Sequence, residues 1–188
     1  MSEPKRTVSA EAMQEEWLEV QAAQADPAMF EPLYERYYEA IFLYVFRRTT
    51  DQALSADLCS QVFLKALQQL PRYQFRGVPF SAWLYRIAAN EIAQHFRRNR
   101  RRQIVTLEEE ASAHLADELG GLPAPDLMPA LVAALDTLKP DDLHLIELRF
   151  FEGLPFREIA AILDITENNA KVKAFRILNR LKKKIAAS

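Results

Sequence analysis

Between Trp83 and Arg102 an aromatic ring, two amides and a run of guanidinium groups fall at spacings that make sense on one helix. Trp83, Arg86, Asn90, Gln94 and Arg97 follow one another by three, four, four and three residues, so a helix puts them on one side. Leu84, Ile87, Ala88 and Ile92 take the other side, toward a core. Five of the six residues 97–102 are arginine. A flat ring, an amide and guanidinium groups on one surface can stack on a base, bond its edge and hold phosphate. The competing reading makes Trp83 plain core and the arginines a solvated run, as many basic stretches are.

A second constellation lies near the C-terminus. Phe156 to Lys173 has the spacing of a helix-turn-helix. Ile159, Ala160 and Leu163 pack its first helix, and Ala160 is small enough for a close crossing. Asp164 occupies the sharp turn, a place usually given to Gly, because Asp tolerates the left-handed conformation. Thr166 is the N-cap of the second helix, and Ile165 and Ala170 plug that helix onto the first. The second helix then presents Glu167, Asn168, Asn169, Lys171, Lys173 and Arg176. Asn can read an adenine edge, and Lys or Arg can reach phosphate or guanine. The helix N-terminus itself favours a phosphate. Helical bundles without DNA share this pattern. Against that reading, Asn168 to Ser188 carries seven bases and no acid.

The elements that must position these groups read as helices throughout. The net charge of −2 hides an asymmetry, because Gln103 to Met128 holds six acids and no base between the two basic blocks. Glu11 to Ala25 is a short helix with Met13, Trp17 and Val20 on one stripe. Asp26-Pro27 restarts the chain as cap and first helical residue. Phe30, Leu33, Tyr34, Tyr37, Ile41, Tyr44 and Val45 mark a helix too aromatic to be solvated. Ser55 reads as the N-cap of a helix to about Leu70. Leu58, Val62, Ala66 and Leu70 point inward there, and Asp57, Gln61, Leu64 and Gln68 outward. Pro71 to Pro79 is a loop, followed by the helix from about Phe80 to Arg100. After the acidic stretch, Leu131, Leu135 and Leu138 form a short helix, and Pro140 opens another that Gly153 closes. No alternating strand pattern occurs. The fold class is all-α: a helical domain over 1–102, a flexible acidic linker over 103–128 and a helix-turn-helix domain over 129–188.

The lone Cys59 excludes an internal disulfide framework and fits a reducing compartment. His95, His114 and His144 show no metal spacing with it. No run reaches the ~18 apolar residues of a membrane span, so the expected protein is soluble, intracellular and cytoplasmic. There is no carboxylate cluster, Cys/His metal set or Gly-rich phosphate loop. An enzyme such as a nuclease is disfavoured, and no catalytic residue, metal or cofactor is expected.

Two units in this order resemble the small, two-domain extracytoplasmic-function (ECF) group of bacterial sigma-70 factors. The resemblance rests on Phe30-x-x-Leu33-Tyr34-x-x-Tyr37, Asp57-Leu58 with Val62-Phe63, Phe75-Arg76-Gly77, Phe80, Trp83 to Asn90, and the helix-turn-helix. It implies a protein that binds core RNA polymerase, through the β′ clamp helices and the β flap, and directs it to promoter DNA. By position it places Asp57, Gln61 and Phe63 on the helix that meets the clamp. It places Gln74, Phe75, Arg76, Gly77 and Val78 on the loop that captures a flipped −10 base. Trp83, Arg86, Asn90 and Arg97 fall on the helix beside the −10 strand. Thr166, Asn168, Asn169, Lys171, Lys173 and Arg176 fall on the helix that reads the −35 duplex. Nucleoid association follows when such a protein is bound to polymerase. Extruding a base costs a few kcal/mol, and each aromatic stack returns roughly 1–3 kcal/mol, so an aromatic loop beside a basic helix suits a melted strand.

This chain departs from the family in three places. Ser60-Gln61 stands where Gln-Glu is common, Asp164 where Gly is, and Asn168-Asn169 where Gly-Thr is. The chain stops shortly after its last helix, so regulation is expected from a partner, in this family usually an anti-sigma protein. The acidic linker is a candidate to fold back over the basic surfaces, on charge alone. The alternative function is a helix-turn-helix regulator that binds duplex DNA without acting as a polymerase subunit. Such a protein should bind a promoter tightly by itself.

Overall fold

A computed structural model describes residues 8–99, 115, 116, 118, 119 and 127–186. Every regular element among them is helical, and they divide into two compact units, 8–99 and 115–186.

In the first unit α1 spans Ala10–Ala25, with the Ser9 hydroxyl accepting from the Ala12 N–H at 3.1 Å. Asp26 stops it with extended backbone and caps one 3-10 turn, Pro27–Phe30. Helix α2 (Glu31–Thr49) ends at Thr50, whose φ of 53° reverses the chain. Helix α3 spans Gln52–Gln69. Its N-cap is Asp51, which accepts from Leu54 N–H at 3.0 Å, so the expected cap at Ser55 is corrected. Ser55 is buried one turn inside, its hydroxyl donating to the Asp51 carbonyl at 2.6 Å. A 3-10 turn, Leu70–Arg72, leads into the loop before α4 (Phe80–Asn99).

Helices α2, α3 and α4 pack on one another around Leu33, Ile41, Val45, Leu58, Val62, Ala66, Leu84, Ala88 and Ile92. Burying each large aliphatic side chain contributes about 1.5–3 kcal/mol. Tyr44 and Tyr85 meet edge to face, 5.2 Å between centroids. Not all of the aromatic helix is core. Tyr34, Tyr38, Phe42 and Phe46 recur every fourth residue and form a partly exposed ladder, with ring spacings of 5.2, 6.0 and 6.1 Å. The helix carries more aromatics than one buried stripe can hold.

In the second unit α5 spans Leu127–Leu135 and α6 Pro140–Ile146. The chain continues from α6 through one wide turn, Glu147–Phe151, in which Glu152 N–H donates to Glu147 O at 3.0 Å. Gly153 closes it at φ 67°, and Leu154 N–H reaches back to Leu148 O at 3.0 Å. Helices α7 (Phe156–Leu163) and α8 (Glu167–Ile185) follow. Asp164 between them takes φ 55°, ψ 45°, the left-handed conformation expected of it. Helices α5, α6 and α7 all pack on α8. Ile159, Ala160, Ile162 and Ala170 are buried, while Leu163 and Ile165 are half-buried. Most of the expected 103–128 linker lies outside the described residues. Of the part within them, Leu115 and Leu119 are buried. Among the described residues no helix is long and apolar enough to cross a membrane.

Candidate nucleic-acid interface

On α4 the two sides separate as the spacing requires. Leu84, Ile87, Ala88 and Ile92 are buried. Asn90 and Arg97 are exposed, and Trp83, Arg86 and Gln94 are half-buried. The amide therefore stands on the surface. The indole of Trp83 leans on Tyr73 at 4.7 Å and on Phe80 at 5.3 Å. The arginine run beyond Arg97 falls outside the described side chains.

The loop after α3 lies against this side of α4. Gln74 and Arg76 are exposed, and Gly77 takes φ 71°, a value that suits glycine. Phe75 is half-buried and stacks on Trp17 of α1, with centroids 5.8 Å apart and planes 21° off parallel. Burial pushes the Tyr73 phenol up to about 12. Glu16 reinforces that shift, and the charges of Arg76 and Arg86 oppose it from nearby. Val78 is only 7% exposed. Its side chain is turned into the unit, so any contact it makes with a base runs through its backbone.

On α3, Asp57 and Gln61 are exposed and line a groove of about 370 Å³ with Leu54, Leu58 and, from α4, Glu91, Gln94 and His95. Phe63 is 4% exposed. Its ring meets Tyr34 at 4.8 Å and Phe30 at 6.5 Å, so it packs on the inner side of the helix. Two residues after Gln61 is more than half a helical turn, which points Phe63 inward. Leu64, 55% exposed, shares the outer face instead, and its position three residues after Gln61 is the signal that marks it.

On α8, Thr166 accepts from the Asn169 N–H at 3.2 Å and so caps the helix it was expected to open. Glu167, Asn168, Asn169, Lys171 and Arg176 are exposed. Lys171 pairs with Glu167 at 2.6 Å. Lys173 is drawn sideways to Asp142 of α6, at 3.4 Å, where Arg180 also binds at 2.5 Å. Val172 and Phe175, 39% and 60% exposed, complete this surface and were not anticipated. Their signal was an apolar residue breaking the polar side of the helix, and such groups can pack on a thymine methyl.

Burial alone would raise the Asp142 carboxyl, but the hydrogen bond and charge of Arg180 and the charge of Lys173 outweigh it, so its pKa lies below the usual range. A depressed carboxyl adds stability above its unfolded pKa of about 4 and loses it as pH falls through the lower folded value. Asp142→Asn should therefore destabilise the second unit at neutral pH. The gap to the parent should close as the pH drops below about 4. Urea melts of the two proteins across that interval check this.

Residues 33–102 match the Sigma-70 region 2 family, and residues 129–181 match the family described as Sigma-70, region 4. The ECF RNA polymerase sigma factor BldN of Streptomyces coelicolor is 32% identical over 166 residues, covering 86% of this chain and 61% of BldN. The RNA polymerase sigma factor CarQ of Myxococcus xanthus is 31% identical over 153 residues, covering 81% of this chain and 87% of CarQ. The sigma factor RpoE of Bartonella quintana, solved in complex with the anti-sigma factor NepR, shares the fold with a TM-score of 0.57. It is 20% identical over 84% of this chain and 96% of that one. The chain thus spans less than two thirds of BldN's length.

Proposed function

The chain belongs to the ECF group of the sigma-70 family, and on that premise we propose that it binds core RNA polymerase and directs it to promoters. The observation that carries this reading is the surface of the first unit, where Asn90 stands exposed on α4, the charge of Arg86 acts on Tyr73 of the preceding loop, and that loop's rings pack on Trp83. Intact duplex offers no base face to such rings. A melted strand does. Gln74, Phe75, Arg76 and Gly77 hold an extruded −10 base, while Trp83, Arg86, Asn90 and Arg97 follow the strand. Trp83 acts from the floor of that surface through Tyr73.

The second unit meets paired DNA at the −35 element. Asn168 and Asn169 reach base edges from the first turn of α8, and Lys171 and Arg176 hold phosphates. Lys173, tied to Asp142, helps orient the helix. Asp57 and Gln61 face the β′ clamp helices of polymerase, with Leu64 beside them, and the second unit meets the β flap. An anti-sigma protein covering these surfaces is the proposed regulator. The protein performs no catalysis of its own and works in the cytoplasm, at the nucleoid when bound to polymerase. Transcription in vitro with purified core polymerase on a promoter library tests the whole reading. Accurate starts that depend on the added chain support it, and tight promoter binding without polymerase argues for a plain regulator.

Lys171→Ala should weaken duplex affinity and flatten its salt dependence by about one unit of slope, the signature of one lost phosphate contact. Affinity measured over a salt series reads this directly, and an unchanged slope removes Lys171 from the phosphate contacts.

A further inference from the structure

Helix α1 ends before residue 33, where the region 2 match begins, yet three of its side chains hold the loop that precedes α4. At the entry, the Gln24 amide nitrogen donates to Leu70 O at 2.8 Å and to Tyr73 O at 2.9 Å. Both acceptors are carbonyls, so only the NH₂ end of the amide can face them, and both its hydrogens are used. In the middle, Trp17 stacks on Phe75 and meets Tyr73 at 6.1 Å. At the exit, the buried Glu16 carboxyl accepts the Phe80 N–H at 2.7 Å and the Tyr37 hydroxyl. That N–H belongs to the first turn of α4 and has no partner within the helix. Gln24 lies seven residues after Trp17, two helical turns on, so one face of α1 holds the loop's entry and centre, and Glu16, one residue before Trp17, holds its exit from the adjoining side.

We propose that α1 is the positioning element of the strand-binding loop, with Gln24 and Trp17 setting the conformation in which residues 74–77 meet an unpaired base. The inference rests on the strand-binding reading above. A loop without regular backbone pairing would otherwise be ordered only when DNA binds, at a cost to affinity. Held at both ends and stacked at its centre, it is ordered during folding. Trp17 stacks on one face of Phe75, which stays only half-buried. The bases accepted at this position therefore depend on a helix that need not touch them.

The test uses holoenzyme assembled from the full chain and purified core polymerase. The probe is a duplex pool randomised in the upstream element and in a premelted downstream bubble, with the bound fraction sequenced. Gln24→Ala and Trp17→Ala should each flatten base preference within the bubble by about tenfold, the scale of one lost hydrogen bond or stack. Selection in the upstream duplex and affinity for core polymerase should hold. Trp17→Phe, which keeps a ring against Phe75, should restore most of what Trp17→Ala loses. Unchanged bubble preference in both Ala variants overturns the proposal, as does an equal loss in bubble and upstream duplex, which marks general instability. Arg76→Ala separates the two levels. If it too leaves bubble preference intact, strand binding by the loop is what has failed. If it erases the preference while the α1 variants do not, only the positioning role has failed.

Discussion

Glu16→Ala should lower the stability of the first unit by about 2–4 kcal/mol, the cost of stranding buried hydrogen-bonding groups. Glu16 is 6% exposed and joins three elements: α1, which carries it, α2 through the Tyr37 hydroxyl, and α4 through the Phe80 N–H. Alanine takes the acceptor from that buried N–H and from the phenol together, and opens a small void. For a domain of this size, each kcal/mol shifts the midpoint by about 4–8 °C. Near-ultraviolet circular dichroism of the full chain would follow the melt, because tyrosines and tryptophans crowd this unit. Glu16→Gln keeps a carbonyl oxygen for Phe80 N–H and should lose roughly half as much. A melt within a few degrees of the parent for the alanine variant would mean water replaces the carboxyl, and the junction would then be peripheral.

The second large effect is on function. Asn90→Ala should slow open-complex formation by about 5- to 150-fold, the equivalent of the 1–3 kcal/mol that a good base-edge contact supplies. Asn90 is exposed on α4 while Ala88 and Ile92 beside it are buried, so truncation removes an amide without touching the core. Fluorescence of a base analogue at the melted position gives the rate. Anisotropy of the labelled chain with core polymerase gives binding, which should be unchanged. Loss of both in the same proportion would take Asn90 out of strand recognition.

Both effects hinge on α4, and they were not equally legible. The surface position of Asn90 follows from spacing. A helix with Leu84, Ala88 and Ile92 inward has no choice but to turn Asn90 out. The work of Glu16 could not be read that way. Its partners lie 21 and 64 residues along the chain, and no periodicity within α1 points to either. The same divide runs through α3. Asp57, Gln61 and Leu64 are outward because their spacing keeps them on one face. Phe63, two residues after Gln61, turns inward, and its packing on Phe30 and Tyr34 cannot be read from α3 alone. Ser55 looked like a cap because serine often is one, but Asp51 stands at the actual break.

In the second unit the turn between α7 and α8 was readable residue by residue. A left-handed bend needs a residue that tolerates positive φ, and a helix start needs a side-chain acceptor. Asp164 and Thr166 supply them locally. Lys173 is the counterexample, since its charge faces Asp142 from another helix instead of solvent.

By itself, then, the order of residues determined which of the described segments are helices, which side of each is wet, and that two basic stretches of sequence flank an acidic one. Those are properties of neighbours within a few turns, and local sterics and burial decide them. Tertiary structure alone decided which wet groups remain available, which are drawn into pairs, and that a helix preceding the matched region braces the loop. Those depend on contacts between distant stretches, which arise only once the helices have packed.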